Sequence, residues 1–241
     1  MNVTIFKDIK STSAGYVRDV SMVLSRIKDG ASADIIAEIR KGNKDLKMSL
    51  PAICFSGEFK NRSKSGIKSH SGFICLDFDK LPNNEELSIL RETIQGDKYT
   101  YACFLSPSGN GLKVIVKIPP IIEEHKQYFD GLKSYYNSEY FDKATSDVSR
   151  VCFESYDPSI YINHDGVVFL DKEEPSYEAI GTVMPSIPET KSYVIIQNLL
   201  KWWESKYPMI PGQRNDNLIK LAYAFNDFGV SKEEARTVLM Q

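Results

Sequence analysis

Asp77 and Asp79 stand at the end of an otherwise apolar run, "GFICLDFDK" (72–80). In an extended chain alternate side chains share a face, so Phe73, Cys75, Asp77 and Asp79 point one way while Ile74, Leu76 and Phe78 point the other. Two carboxylates converging at that spacing repel, and one holds its proton unless an opposite charge is supplied. A divalent cation supplies that charge, and an all-oxygen ligand set favours magnesium or manganese. Magnesium keeps several waters and takes substrate phosphates as further ligands, so the matching substrate carries phosphates. An isolated pair of this kind also occurs where a strand simply ends in solvent.

Two further stretches could share that chemistry. In "SPSGNGLKVIVKI" (106–118) a Ser/Gly turn joins two apolar runs. Glycines let backbone N–H groups approach an anion, and the Ser106 and Ser108 hydroxyls with the Lys113 ammonium could complete a phosphate cradle. An ordinary hairpin turn has the same composition. In "YFDKATSDVSRVCFESYDPSIYIN" (140–163), Asp142 and Asp147 are rival third carboxylates and Arg150 opens the next apolar run. A third carboxylate would complete a two-metal site, and arginine suits bidentate phosphate contact, although a surface ion pair would use the same residues.

The loop "EFKNRSKSGIKSHSG" (58–72) sets Lys60, Arg62, Lys64, Lys68 and His70 against Glu58. Such a local basic stretch could follow a nucleic-acid backbone or a triphosphate. Arg62 and His70 are its candidates; Lys64 and Lys68 read as solvated. His125, on a helix read as exposed, and His164, in a turn, read as structural, and three scattered histidines indicate no zinc site. Trp202 and Trp203 are adjacent in a helical segment, so at most one faces a core.

Strands and helices must bring these residues together. Strands are expected at 3–6, 50–57, 72–80, 99–106, 111–120 and 149–155, with the "SPSGNG" link making a hairpin. Val17, Val20, Val23, Leu24 and Ile27 recur with helical spacing up to Gly30, and "SADIIAEIRKG", "NNEELSILRETI" and "EEHKQYFDGLKSYYNSEY" supply further helices. The order implies an α+β domain over 1–170. Residues 171–191 read as a linker, and 192–241 as a helical C-terminal module that continues in a longer protein.

Composition narrows the setting. The formal net charge of -2 gives no global field for nucleic acid, so any such binding needs a local basic surface. No apolar run approaches the ~20 residues needed to cross a bilayer, and the start "MNVTIFKDIK" has no signal-peptide pattern. Cys54, Cys75, Cys103 and Cys152 sit in separate apolar runs, as buried free thiols do. A cytoplasmic protein with no membrane partner is expected.

D-x-D at a strand end, then Ser-x-Ser-Gly-x-Gly-x-Lys, then hydrophobic-Asp with Arg eight residues on, resembles the three motifs of the archaeo-eukaryotic primase (primase-polymerase) superfamily. "LPAICFSGEFKNR", "HSGFICLDFDKL" and "SRVCFESYDPSIYIN" are similar to the BT4734-like, or VirE N-terminal, domain of Bacteroides-type mobile elements and phages. The resemblance covers about residues 1–170. It implies a primase-polymerase core, with an N-terminal α/β part and an RRM-like sheet with flanking helices. It implies a nucleotidyltransferase that makes or extends primers on a single-stranded DNA template from NTPs or dNTPs, with two magnesium or manganese ions and a helicase partner. By position, Asp77, Asp79 and Asp142 become catalytic metal ligands, and Ser106, Ser108, Lys113, Arg150, Arg62 and His70 nucleotide-binding residues. Lys113 stands where the superfamily commonly has histidine, and lysine offers no neutral imidazole near pH 7. That departure keeps open a primase-like module that binds nucleic acid beside a helicase without polymerising. A haloacid-dehalogenase-type phosphatase, with "ICLDFDKL" as nucleophile motif, lacks its later acidic pair and its Ser/Thr motif.

Overall fold

The computed structural model describes residues 1–173, 192–207 and 214–239. The chain divides into two compact units, Met1–Ser176 and Tyr177–Gln241. In the first, β1 (Asn2–Phe6) and β2 (Tyr16–Asp19) precede α1 (Val20–Asp29) and α2 (Ala33–Arg40). Four strands follow, β3 (Ala52–Cys54), β4 (Gly57–Phe59), β5 (Ile67–His70) and β6 (Phe73–Phe78), then α3 (Asn84–Gln95). The hairpin β7 (Thr100–Leu105) and β8 (Leu112–Lys117), α4 (His125–Tyr136), β9 (Cys152–Phe153) and β10 (Tyr161–Ile162) complete it.

The fold is α+β with antiparallel sheets. One sheet has the order β2-β1-β3-β9, a second β10-β7-β8-β6, and β4 and β5 form a separate ribbon. Each face of β6 meets a different core. Ile74, Leu76 and Phe78 pack with Leu87 and Ile94 of α3 and with Phe129 and Leu132 of α4. Phe73 packs with Val3, Ile5 and Ile53 of the first sheet and with Val23 and Leu24 of α1. Burial on both sides explains why the run reads as continuously apolar rather than alternating. Asp77 therefore projects on the face that looks toward the first sheet.

Local structure departs from the sequence pattern in three places. Val17 lies in β2 rather than in a helix. The register Asn2↔Asp19 through Ile5↔Tyr16 captures that segment, and Asp19 caps α1 by accepting the Ser21 N–H at 2.9 Å. The expected strand at 50–57 divides into β3 and β4, and the basic loop after it turns back as β5. Of the strand expected over 149–155, only Cys152–Phe153 pairs, against β3.

Residues 174–191 of the expected linker lie outside the described residues. Just before them, Lys172 donates to Glu124 at 2.7 Å and the Glu173 N–H to the Gln127 carbonyl at 3.1 Å. The second unit contains α5 (Ser192–Lys206), α6 (Arg214–Asp227) and α7 (Lys232–Leu239). Its core gathers Ile196, Leu199, Trp203, Leu221 and Phe225, and the Trp203 Nε1–H donates to the Asn217 carbonyl at 2.7 Å. Trp202, the adjacent residue, is exposed. No described helix is long and apolar enough to cross a membrane.

Candidate metal centre

Hydrogen bonding at the end of β6 determines which acids meet. The Asp142 N–H donates to the Asp77 carbonyl at 2.8 Å and the Asp79 N–H to the Tyr140 carbonyl at 2.9 Å, with Phe78 bridged to Phe141 between them. Phe141 anchors the segment from below, its ring 5.4 Å from Phe78 and 5.3 Å from Phe129, both edge-on. A short stretch after α4 thus docks antiparallel to the end of β6 and carries Asp142 to the D-x-D pair. One carboxylate oxygen from each of Asp77, Asp79 and Asp142 lies within 4.8 Å of the others. Asp147 is not in that group; its carboxylate accepts the Ser149 N–H at 2.7 Å and closes its own turn.

Lys113 faces Asp77 because β8 pairs with β6 in the register Asp77↔Lys113. Both side chains are buried, and the Lys113 ammonium donates to Asp77 Oδ2. Burial raises the Asp77 carboxyl above its ordinary value; Lys113 pulls it back, and the neighbouring Asp79 and Asp142 add to the rise. The second Asp77 oxygen, Oδ1, is buried and has no hydrogen-bond partner among the described residues. Such an atom is costly unless a cation or donor meets it. A divalent cation fits here. Three carboxylates and one ammonium leave a net of two negative charges, and the donor set is oxygen, as magnesium or manganese requires.

Gly111 makes the hairpin compatible with this arrangement. A Cβ there would lie 2.5 Å from the Phe78 carbonyl oxygen and 2.8 Å from Asp79 Oδ1. The turn before it is tied by the Ser106 N–H to the Gly111 carbonyl, 2.8 Å, and by Ser108 Oγ to Asn110 Oδ1, 2.6 Å. Ser106 is buried and Ser108 exposed, and neither lines the pocket beside the acids. Arg40 of α2 supports this turn, its guanidinium donating to the Tyr156 carbonyl at 2.8 Å and packing 3.4 Å from where a Gly109 Cβ would be. Nothing in the helical pattern around Arg40 signalled that role.

The pocket lies between the two large sheets. Asp77 and Lys113 line it with Ser56, His125, Asp147 and Arg150. Arg150 is exposed at the rim and makes no ion pair with a described residue. Arg62 stands away from this wall, donating to the Ile9 carbonyl at 2.7 Å, and its Nη1 is buried without a partner among the described residues. His70 is not in the wall either; it hydrogen-bonds His125 at 2.9 Å. The reading of His125 as an exposed structural residue is corrected. It is 4% exposed, because the N-terminus of α4 tucks beneath the β4–β5 ribbon's last residue. The sequence shows the pair as residues 55 apart on unrelated elements, with no periodicity to connect them.

Residues 45–162 match the family model described as BT4734-like, N-terminal domain. The match supports the BT4734-like family for this segment. Within the matched segment lie β3 to β10, all three clustered acids, Lys113, His125 and Arg150; β1, β2, α1 and the supporting Arg40 precede it. No curated protein and no solved structure gives a significant match to the chain.

Proposed function

We propose that this chain is a metal-dependent nucleotidyltransferase of the primase-polymerase superfamily, making or extending primers on single-stranded DNA from NTPs or dNTPs. The observation that carries this reading is the trio Asp77, Asp79 and Asp142, with the buried Asp77 Oδ1 unpartnered among the described residues. The motif order noted in the sequence and the BT4734-like match support it. In this reading the three carboxylates hold magnesium or manganese, a first ion balancing the site's own charge and a second arriving with the triphosphate. When bound, such ions lower the pKa of the primer hydroxyl and offset charge on the transferring phosphoryl group.

The chain's own groups supply the rest. Asp77 fixes the Lys113 ammonium, so a positive charge stays in place beside the acids instead of moving with a flexible stem. Arg150, at the open rim, is free to take two phosphate oxygens with its planar fork. The Ser106–Gly111 turn closes against Asp79, with no room for a Cβ at Gly111. A helicase in the same longer protein or assembly, and residence in the cytoplasm, belong to the same proposal. Incorporation of labelled NTPs or dNTPs on a single-stranded template, with and without primer and with magnesium or manganese, tests it.

A second reading has its own observation. The Lys113 ammonium already occupies one oxygen of Asp77. A primase-like module that binds single strands without polymerising would tolerate this; it would bind DNA but show no metal-dependent affinity for a triphosphate.

A further inference from the structure

His70 and His125 form a hydrogen-bond relay whose direction is dictated by one backbone donor. The Gly72 N–H can only donate, and it donates to His70 Nδ1 at 2.9 Å. A neutral His70 must then carry its proton on Nε2. That Nε2 lies 2.9 Å from His125 Nδ1, so His125 accepts there and carries its own proton on Nε2. Gly72 sits at φ 81°, a left-handed conformation that glycine adopts without strain, and the turn that aims its N–H is held in place by it.

His125 Nε2 makes no hydrogen bond to any described residue, and His125 lines the pocket that also holds Asp77, Lys113 and Arg150. A second proton on His125 would set two N–H donors against each other at the 2.9 Å contact with His70, and one on His70 would do so at the 2.9 Å contact with the Gly72 N–H. Burial acts in the same sense, lowering His70 to about 4 and His125 to about 3. The relay thus presents a neutral donor of fixed orientation to the pocket. The pocket's cationic groups are Lys113, committed to Asp77, and Arg150 at the rim; its other acid, Asp147, is turned onto Ser149.

We propose that His125 donates its Nε2–H to a phosphate oxygen of the nucleoside triphosphate tail, and that His70 is the positioning residue that fixes its tautomer. This rests on the nucleotidyltransferase reading above. A neutral donor suits the place: it binds phosphate oxygen without competing as a cation for the carboxylates of Asp77, Asp79 and Asp142.

Two measurements on the full chain test it. Imidazole nitrogen-proton correlation spectra should show His125 protonated on Nε2 and bare on Nδ1 near neutral pH, and His70→Phe should convert it to a mixture of tautomers. Titration with a fluorescent deoxynucleoside triphosphate and magnesium should show His125→Phe weakened about tenfold or more, as for loss of a hydrogen bond to a charged group, with His125→Gln recovering much of it. Manganese binding to the free protein should not change in either variant. An Nδ1-protonated His125, or unchanged triphosphate affinity in His125→Phe, overturns the inference and leaves the nucleotidyltransferase reading standing. No metal-dependent triphosphate binding by the unmodified protein overturns that reading and this ligand with it, even with the tautomers as described.

Discussion

At the scale of single residues, the buried Asp77–Lys113 pair separates chemistry from folding. From the sequence, removing either aspartate of the D-x-D would abolish activity and spare the fold. The structure divides the two cases. Asp77→Ala strands the Lys113 ammonium in a buried position, which typically costs about 3–5 kcal/mol. Asp79 has no such partner among the described residues, so Asp79→Asn should remove metal affinity with little loss of stability. Urea unfolding of both variants checks this; equal stabilities would contradict the pair's role. The two histidines make a second residue-scale prediction. Folding lowers His70 and His125 from 6.5 to about 4 and about 3, so below pH 6.5 the unfolded chain binds more protons than the folded one. Their contribution is therefore complete above pH 6.5 and is lost as pH falls toward the folded values, by up to about 1.4 kcal/mol per unit for each histidine. His125→Gln should flatten the change in unfolding free energy between about pH 6.5 and 5; an unchanged slope would contradict the burial of a neutral imidazole.

At the scale of elements, two close approaches build the three-acid cluster: the 140–142 segment against β6, and the β7–β8 turn against Asp79. The second was half legible. The Ser/Gly turn and its two strands could be read from "SPSGNG" between apolar runs, and so could the order of D-x-D, turn and Asp. What the turn does could not, because Gly111 serves Asp79 by leaving out a Cβ, and absence of bulk has no pattern in one sequence. Gly111→Ala should push Asp79 off the shared site and lower manganese affinity about 10–100-fold, the range seen when a ligand's support is lost, while secondary structure persists. Manganese titration followed by electron paramagnetic resonance checks it, and an unchanged affinity would show that the turn does not position Asp79. Asp142 against Asp147 was likewise open from spacing alone. The Asp142 N–H bond to the Asp77 carbonyl, a tertiary contact across 65 residues, places Asp142 beside the D-x-D pair and leaves Asp147 outside the cluster. Val17 shows the converse: a residue in helical phase joins a strand because β1 offers it a complete set of partners.

At the scale of the whole molecule, the α+β class followed from strands alternating with helices, and the free cysteines from their apolar settings. The two-sheet arrangement did not, since β9 and β10 are two residues each and pair only because longer strands are already in place. That arrangement is what makes a site. One sheet brings Asp77 and Lys113, the other brings Cys152, the β3–β4 turn brings Ser56, and α4 brings His125 to the gap between the sheets. With a net charge of -2 for the chain, attraction of an anionic substrate falls to this gap, with its Lys113 and Arg150, rather than to the molecular surface as a whole. In the proposed function the Asp77, Asp79 and Asp142 carboxylates hold the cations for nucleotidyl transfer. The most direct test is extension of a labelled primer on single-stranded DNA by the full chain and by Asp79→Asn, with dNTPs or NTPs and magnesium or manganese. Incorporation by the unmodified chain, reduced about a thousandfold or more in a folded Asp79→Asn, is the expected result, as for loss of several kcal/mol of transition-state charge stabilisation. No incorporation by the unmodified chain, or equal incorporation by both, would contradict it.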